Sequence, residues 1–99
     1  MFFVYILYSK STEQFYKGQT DDLVNRIFRH NNGYEKFTKK GIPWTILWST
    51  IKDERSESLK LEKKLKNLGK EETLKFMLKY DEGIAGPDEL LLIKQLSGC

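Results

Sequence analysis

Two tyrosines, an arginine, a histidine and a glutamate give this sequence its candidate chemistry. Tyr5 and Tyr16 are eleven residues apart, on either side of a polar turn that joins two segments rich in β-branched and aromatic residues. If the two segments pair as a hairpin, the phenols can lie near each other in one sheet. Tyrosines are also ordinary strand residues, so the pair alone does not establish a function.

Arg26 and His30 are four residues apart, which makes them neighbours on one face of a helix. In helical projection they lie beside Leu23 and Ile27, at the edge between core and solvent, where a site could be supported from below and open above. His30 is the only histidine and the only side chain expected to titrate near neutral pH without perturbation. A solvated helix edge is the competing interpretation, and the spacing by itself favours it.

Glu62 belongs to a later predicted helix, and most lysines of that helix are expected on its solvent-exposed surface. In projection it falls between Leu59 and Leu65, flanking the predicted buried stripe of that helix. A carboxylate that lies close to an apolar core needs a partner that offsets its charge or donates a hydrogen bond to it, such as an arginine, a hydroxyl or a metal ion. Mg²⁺ suits a lone carboxylate because it keeps several waters and is often completed by phosphate oxygens. An ion pair with a lysine one turn away is at least as common an explanation.

Together these five groups suit hydrolysis of a phosphodiester. That reaction needs a base to activate water, a cation to offset charge on the phosphate, and a metal to assist the leaving oxygen. The formal net charge of +3 is compatible with a nucleic-acid partner but does not demand one.

Length and composition limit the class of protein. Ninety-nine residues, 39% of them hydrophobic, fit one compact domain. The single cysteine, Cys99, excludes an internal disulfide framework and a cysteine-rich zinc site. The apolar segment 1–8 lacks a basic leader and is far shorter than the ~20 residues that span a bilayer, so we expect a buried strand. The sequence thus predicts a cytoplasmic protein with no membrane partner.

Apolar periodicity and turn signals predict the element order ββα–β–ααα. The first helix is expected to begin at a Thr20 cap and to carry an apolar stripe of Leu23, Val24, Ile27 and Phe28. The predicted strands cover 2–8, 15–19 and 43–51. The predicted helices cover 20–32, 53–69, a segment from 71 onward, and a last helix that begins at 87 and carries Leu90, Ile93 and Leu96. The fold class is α+β: a small three-stranded antiparallel sheet flanked by helices, with additional C-terminal helices.

In this order the candidate residues resemble the GIY-YIG nuclease superfamily, most closely its small single-domain members. The resemblance extends to the amino-terminal nuclease domain of the bacterial excision-repair incision subunit. It rests on Val4-Tyr5-Ile6, Tyr16-Lys17-Gly18, the Arg26/His30 helix, Glu62 and the segment 37–44. It covers residues 2 to about 68, which predicts a nuclease core at 1–68 and a C-terminal helical extension at 69–99 packed on the same domain.

The resemblance implies a metal-dependent endonuclease that cleaves DNA in repair or recombination, or on branched structures. Tyr5 and Tyr16 would position or deprotonate the attacking water, and Arg26 would hold the scissile phosphate. His30 stands where members carry His or Tyr and is a candidate general base or water-positioning group. Glu62 would be the sole protein ligand of a single Mg²⁺ or Mn²⁺.

The sequence departs from the family pattern at three places. Phe3-Val4 stands where the first motif has Gly-Ile, Lys17 replaces Ile in the second motif, and Gln19 follows Gly18 where some members place a lysine. Charge compensation at the phosphate is therefore expected to differ, and Lys17 is a doubtful substitute. The candidate nucleic-acid-binding residues are Lys17, Arg29, Lys36, Lys39 and Lys40.

Two other functions remain open on the sequence. The first is a catalytically weak or inactive nucleic-acid-binding module of the same fold, which grips phosphates through its basic loop and loses affinity as salt rises. The second is an interaction protein, because 90–93 is an apolar run in the terminal helix. That run would dock on the core or pair with a second chain as a homodimer. An unknown partner could supply specificity, and nothing distinguishes DNA from RNA.

Overall fold

Three strands and four α-helices follow one another along residues 1–98, the part of the chain that this computed structural model describes. The α+β class with a three-stranded antiparallel sheet is confirmed. The elements are β1 (Phe2–Ser9), β2 (Gln14–Thr20), α1 (Leu23–Asn31), a first 3₁₀ helix (Lys36–Gly41), β3 (Trp44–Lys52), α2 (Arg55–Lys66), α3 (Lys70–Lys79), a second 3₁₀ helix (Asp81–Gly83) and α4 (Pro87–Leu96).

The sheet has the order β2-β1-β3, and both pairings are antiparallel. Tyr5 of the central strand lies opposite Gly18 of β2 and Ser49 of β3. Helices cover both faces of β1, so its residues 4–9 are all buried. This explains why its sequence is a continuous apolar run rather than an alternating pattern.

Each face of the sheet has its own apolar cluster. On one face, Val4 and Ile6 pack against residues of α2, α3 and α4. On the other face, Tyr5 and Leu7 pack against α1 and the residues around Trp44. Since neighbouring residues of a strand point to opposite faces, β1 divides its side chains between the two clusters. The candidate tyrosine therefore faces α1.

The first helix differs from the prediction in its start and in its buried face. Asp22, not Thr20, is the N-cap, and its side chain accepts a hydrogen bond from the Asn25 backbone N–H at 3.1 Å. Val24 is 82% exposed and Phe28 is also exposed, so their assignment to the buried stripe was wrong. The short helix contacts the sheet through one narrow face. Val24 and Phe28 lie outside that face and are therefore exposed to solvent. His30 takes the buried position instead.

The second helix is shorter than predicted. It ends at Lys66 rather than at Gly69. Gly69 precedes α3, where its N–H donates a hydrogen bond to the Glu72 carboxylate at 3.1 Å. Leu59, which flanks Glu62 in the helical projection, is exposed. The helix consequently buries a narrower stripe, centred on Leu65, than its leucine content suggested.

The C-terminal helices contribute to the larger cluster. Ile93 of α4 is fully buried and belongs to the same cluster as Leu74 and Met77 of α3, whereas Leu91 is 56% exposed. The apolar run in α4 is thus divided between the core and solvent. Among residues 1–98, no helix combines the length and apolarity needed to cross a bilayer.

We predict that Ile93→Ala lowers the free energy of unfolding by about 2–5 kcal/mol, because it leaves a cavity in the cluster that α4 shares with the sheet. Leu91→Ala is the matched control, and its exposed side chain should change stability by less than about 0.5 kcal/mol. Urea unfolding followed by tryptophan fluorescence measures both. Equal losses in the two variants would contradict the placement of α4 in the core.

Candidate active site

Hairpin register brings the two candidate tyrosines together. Tyr5 pairs with Gly18, and Tyr16 precedes Gly18 by two residues, so both rings lie on one face of the sheet. Their ring centroids are 6.3 Å apart. A Cβ atom at Gly18 would lie 2.6 Å from the Tyr5 hydroxyl oxygen and 2.7 Å from Cζ. Gly18 therefore provides the space in which the Tyr5 ring lies.

His30 completes a cluster of three rings. Its Nε2 lies 3.0 Å from the Tyr5 hydroxyl oxygen, and its ring centroid is 4.7 Å from that of Tyr16. Tyr5 and His30 are both buried, and Tyr16 is half-buried. The prediction that His30 lies at a solvent edge was wrong, because the first 3₁₀ helix folds over it. Only Arg26 of the predicted pair remains partly exposed.

The hydrogen bonds around His30 form a chain with one consistent direction. The Thr38 hydroxyl donates to the Glu35 carbonyl oxygen at 3.3 Å, which leaves its oxygen free to accept from His30 Nδ1 at 2.8 Å. With the proton on Nδ1, His30 Nε2 accepts the hydrogen bond of the Tyr5 hydroxyl. This assignment of the tautomer satisfies every member of the chain.

Trp44 and Asn31 hold the first 3₁₀ helix in place over His30. The Trp44 indole N–H donates to the Thr38 carbonyl oxygen at 2.7 Å. The Asn31 side chain accepts from the Trp44 backbone N–H at 2.6 Å and donates to its carbonyl oxygen at 3.1 Å. Helix α1, the 3₁₀ helix and β3 are thus joined at one point, which fixes the position of Thr38.

Burial sets the protonation state of Tyr5. Desolvation raises the pKa of the Tyr5 phenol well above its ordinary value, and the neighbouring Tyr16 raises it further. The charge of Arg26 lowers this pKa, and that of Glu62 raises it. Because the phenol stays protonated at neutral pH, Tyr5 is a hydrogen-bond donor in the site and not a base.

Burial has the opposite effect on His30, since the charged form of histidine is the protonated one. Desolvation lowers the pKa of His30 below 6.5, the charge of Glu35 raises it, and those of Arg26 and Arg29 lower it. The imidazole is therefore neutral at pH 7, as the hydrogen-bond chain requires. Glu35 is itself held ionised, because the hydrogen bond from Arg29 lowers the pKa of its carboxyl.

Arg26 lies at the end of β2, beside a shallow cavity of about 110 Å³. The cavity is lined by Phe2, Gln19, Thr20, Asp21, Arg26 and Arg55. A larger, mainly apolar cavity between α3 and α4 contains none of the predicted residues. The polar cavity beside Arg26 is lined by two arginines, Arg26 and Arg55, whose positive charge suits an anionic ligand.

Glu62 belongs to α2, which packs on the face of the sheet opposite to α1, Tyr5 and Tyr16. It projects from α2, its side chain is 19% exposed, and Lys66 Nζ lies 3.4 Å from its Oε2. Its charge is among those that act on Tyr5. Glu62 does not touch the tyrosines, and the ion pair with Lys66 that was considered on the sequence is present.

The residues around Glu62 are compatible with a hard divalent cation and not with a closed protein cage. Within residues 1–98, no group of three or more His, Cys, Asp or Glu side chains is arranged to hold a metal. A single carboxylate can hold Mg²⁺ or Mn²⁺ where water and substrate phosphate complete the coordination. Glu62 offers that one oxygen ligand, and its partial exposure leaves room for water.

The predicted nucleic-acid contacts divide into two groups. Lys17 lies on the opposite face of β2 from Tyr16, and its Nζ donates to the Leu68 carbonyl oxygen at 3.2 Å. Burial lowers the pKa of Lys17. Arg29 and the three lysines of the first 3₁₀ helix lie on the side of the sheet that carries His30: Lys36, Lys39 and Lys40. Lys17 is thus separated from the other basic candidates.

Three contributors to the site were missed on the sequence. Thr38 and Asn31 fix His30 and its cover, and Arg55 lines the cavity with Arg26. Thr38 stands within the segment 37–44 that was noted as typical of the small family members, which was the available signal. Asn31 and Arg55 gave none, because a helix-end asparagine and a helix-start arginine are ordinary surface residues.

The α+β domain thus holds a buried Tyr5–His30 pair, with Tyr16 packed on both rings and the charges of Arg26 and Glu62 acting on Tyr5. Residues 1–75 match the family described as the GIY-YIG catalytic domain. The chain therefore belongs to the GIY-YIG family, which places it in a nuclease superfamily.

Two relatives carry the name UPF0213 protein. The one from Staphylococcus saprophyticus is 33% identical over 76 residues, which is 76% of this chain and 92% of that protein. The solution NMR structure of the one from Bacillus halodurans is 30% identical, with a TM-score of 0.51 over 90% of this chain and 92% of the other. This chain is similar to both along most of their length, so the sheet and its helices belong to a shared fold.

We predict that stability falls as the pH is lowered from about 7 to 5. The pKa of His30 is lower in the folded state, so the unfolded chain binds a proton in this range that the folded chain does not. The stabilisation is complete above the unfolded pKa of about 6.5 and is lost as pH falls toward the folded pKa. Urea unfolding across this range should show the slope in the wild type and not in His30→Gln.

Glu35 contributes in the same direction only at the acid end of this window, where the unfolded carboxyl begins to take up protons and the folded one stays ionised, and it does so in both proteins. An NMR titration of the His30 ring provides a second measurement that does not depend on the variant. An identical slope in the two proteins, together with a His30 pKa at or above 6.5, would overturn the assignment of a buried neutral imidazole.

Proposed function

We propose that the protein is a metal-dependent endonuclease that hydrolyses phosphodiester bonds of nucleic acid, with DNA as the expected substrate. The observation that carries this proposal is the arrangement of partly exposed Tyr16, Arg26 and Glu62 around a buried Tyr5–His30 pair. Membership of the GIY-YIG family supports the reaction class.

In this proposal Tyr16 is the tyrosine that contacts the attacking water. Tyr5 and His30 are buried and bonded to each other, so neither has a free edge for solvent. Tyr16 packs on both rings and is partly exposed. Its phenol oxygen orients the water by accepting a hydrogen bond from it. Tyr5 and His30 act as positioning residues, because they hold the Tyr16 ring in place.

Arg26 and Glu62 have different electrostatic roles in the proposed reaction. The Arg26 guanidinium binds the scissile phosphate and offsets the charge that develops on it. Glu62 holds one Mg²⁺ or Mn²⁺, and a bound ion of this kind supplies Lewis-acid stabilisation of phosphate oxygens. Lys66, whose ammonium lies 3.4 Å from the carboxylate, neutralises Glu62 when no cation is bound.

We predict that Glu62→Gln abolishes Mg²⁺-dependent cleavage and leaves the fold intact, because the amide keeps the shape and loses the charge that binds the cation. A panel of linear and branched DNA and RNA, with Mg²⁺, Mn²⁺ or EDTA, measures cleavage. Titration calorimetry with Mn²⁺ measures cation binding separately.

Glu71→Gln is the matched control, since Glu71 forms the same kind of one-turn ion pair with Lys75 at 3.6 Å and lies on α3. It should cleave and bind Mn²⁺ like the wild type. The proposal fails if the wild type cleaves no member of the panel with either cation. The role of Glu62 fails if Glu62→Gln still binds Mn²⁺ as the wild type does.

A second candidate function, nucleic-acid binding without cleavage, is supported by a basic–aromatic surface on α1 and the first 3₁₀ helix. Phe37 is 93% exposed, and exposed Phe28 and Tyr34 stack on each other with ring centroids 6.3 Å apart. Unpaired bases stack on such rings, and the neighbouring cations attract the backbone. The members of this surface are Phe28, Arg29, Tyr34, Lys36, Phe37, Lys39 and Lys40.

We predict that Phe37→Ala weakens binding of a labelled single-stranded oligonucleotide about tenfold in EDTA, because one base loses its stacking partner. Fluorescence anisotropy at several salt concentrations measures the affinity. Leu91→Ala removes an exposed apolar side chain from α4, far from this surface in the sequence, and should bind like the wild type. The same affinity in both variants would rule out the basic–aromatic surface as the binding face.

A further inference from the structure

The cavity beside Arg26 contains a second arginine for which the proposed reaction has no role so far. Arg55, the first residue of α2, lines the same cavity of about 110 Å³. Helices α1 and α2 pack on opposite faces of the sheet, and their arginines line this cavity together with Phe2 of β1 and residues 19 and 20 of β2. β2 is an edge strand of the sheet. Residues from both faces can therefore meet at its end.

Neither arginine of this cavity forms an ion pair with a carboxylate of residues 1–98. Within residues 1–98, no carboxylate oxygen lies within 4.0 Å of the Arg26 or Arg55 guanidinium, although Asp21 also lines the cavity. Arg29, by contrast, is paired with Glu35 at 2.9 Å. Two unpaired like charges at one small cavity repel each other, and a bound anion relieves that repulsion.

The residues of the second motif supply no cation to this cavity. Gln19 lines the cavity and is neutral. Lys17 does not compensate, because it lies on the opposite face of β2 from Tyr16 and donates to the Leu68 carbonyl oxygen. Arg55 is the remaining cation that lines the cavity, and its planar guanidinium can bind two phosphate oxygens at once.

We propose that Arg26 and Arg55 together bind one phosphate group of the nucleic-acid backbone, with Arg55 as the second cation of the cavity. This inference rests on the proposed function for the identity of the ligand. Arg55 thereby belongs to the substrate-binding machinery, with one guanidinium contributed from each face of the sheet.

An NMR titration with inorganic phosphate tests the pair directly. The chain has three arginines, so their Nε–H signals can be assigned with Arg26→Lys, Arg29→Lys and Arg55→Lys. The signals of Arg26 and Arg55 should move on one shared, saturable curve. Arg29 is an internal control, because its Nε–H already donates to Glu35. Movement of Arg26 alone, or unsaturable movement of all three, would overturn the inference.

Cleavage kinetics provide the second test. Arg55→Gln should lower kcat/KM by about tenfold to a hundredfold, because it removes a charged hydrogen-bond donor from the phosphate. Arg55→Lys, which keeps the charge, should lose less. Lys60→Gln is the control: it removes one exposed cation from α2 at about 140° around the helix from Arg55 and should stay within about twofold of the wild type.

The two proposals fail in different ways. If the wild type cleaves its substrate and Arg55→Gln cleaves it equally well, the paired arginines are wrong and the endonuclease assignment stands. If the wild type cleaves nothing, the endonuclease assignment fails, and the phosphate titration still decides whether Arg26 and Arg55 share an anion.

Discussion

A phenol and an imidazole that are both closed off from water must satisfy each other, and Tyr5 and His30 do so through one hydrogen bond of 3.0 Å. Leaving either group buried without a partner would cost about 1–3 kcal/mol. Several features of the chain follow from this bond. Gly18 leaves space for the Tyr5 ring, α1 buries His30 while apolar Phe28 is exposed, and the Thr38 hydroxyl accepts a hydrogen bond from His30 Nδ1.

The bond also separates the site into a neutral interior and a charged rim. Burial raises the pKa of Tyr5 and lowers that of His30, so both are uncharged at neutral pH and neither exchanges protons readily with solvent. The charged groups, Arg26 and Glu62, are partly exposed and act on Tyr5 from outside. Tyr16 lies between the two layers, because it packs on the buried rings and retains contact with solvent.

The sequence predicted the parts of this arrangement that depend on local periodicity. Hairpin spacing was sufficient to bring Tyr5 and Tyr16 onto one face, and ordered motifs identified the family. Helical projection could not distinguish Val24 and Phe28 from Leu23 and Ile27, because all four are apolar and only packing decides which are covered. The burial of His30 could not be predicted either. The segment that covers His30 is the lysine-rich first 3₁₀ helix, and its sequence is typical of a solvent-exposed loop. Thr38 is its one inward hydroxyl.

In a three-stranded sheet with helices on both faces, there are few places where one substrate can contact residues from both faces. The central strand is buried along residues 4–9, so an opening in the middle of either face would expose the core. At the end of β2 no further strand intervenes, and side chains of α1 and α2 line one cavity. This end of the sheet therefore brings arginines of two helices to one cavity, beside the end of the strand that carries Tyr16.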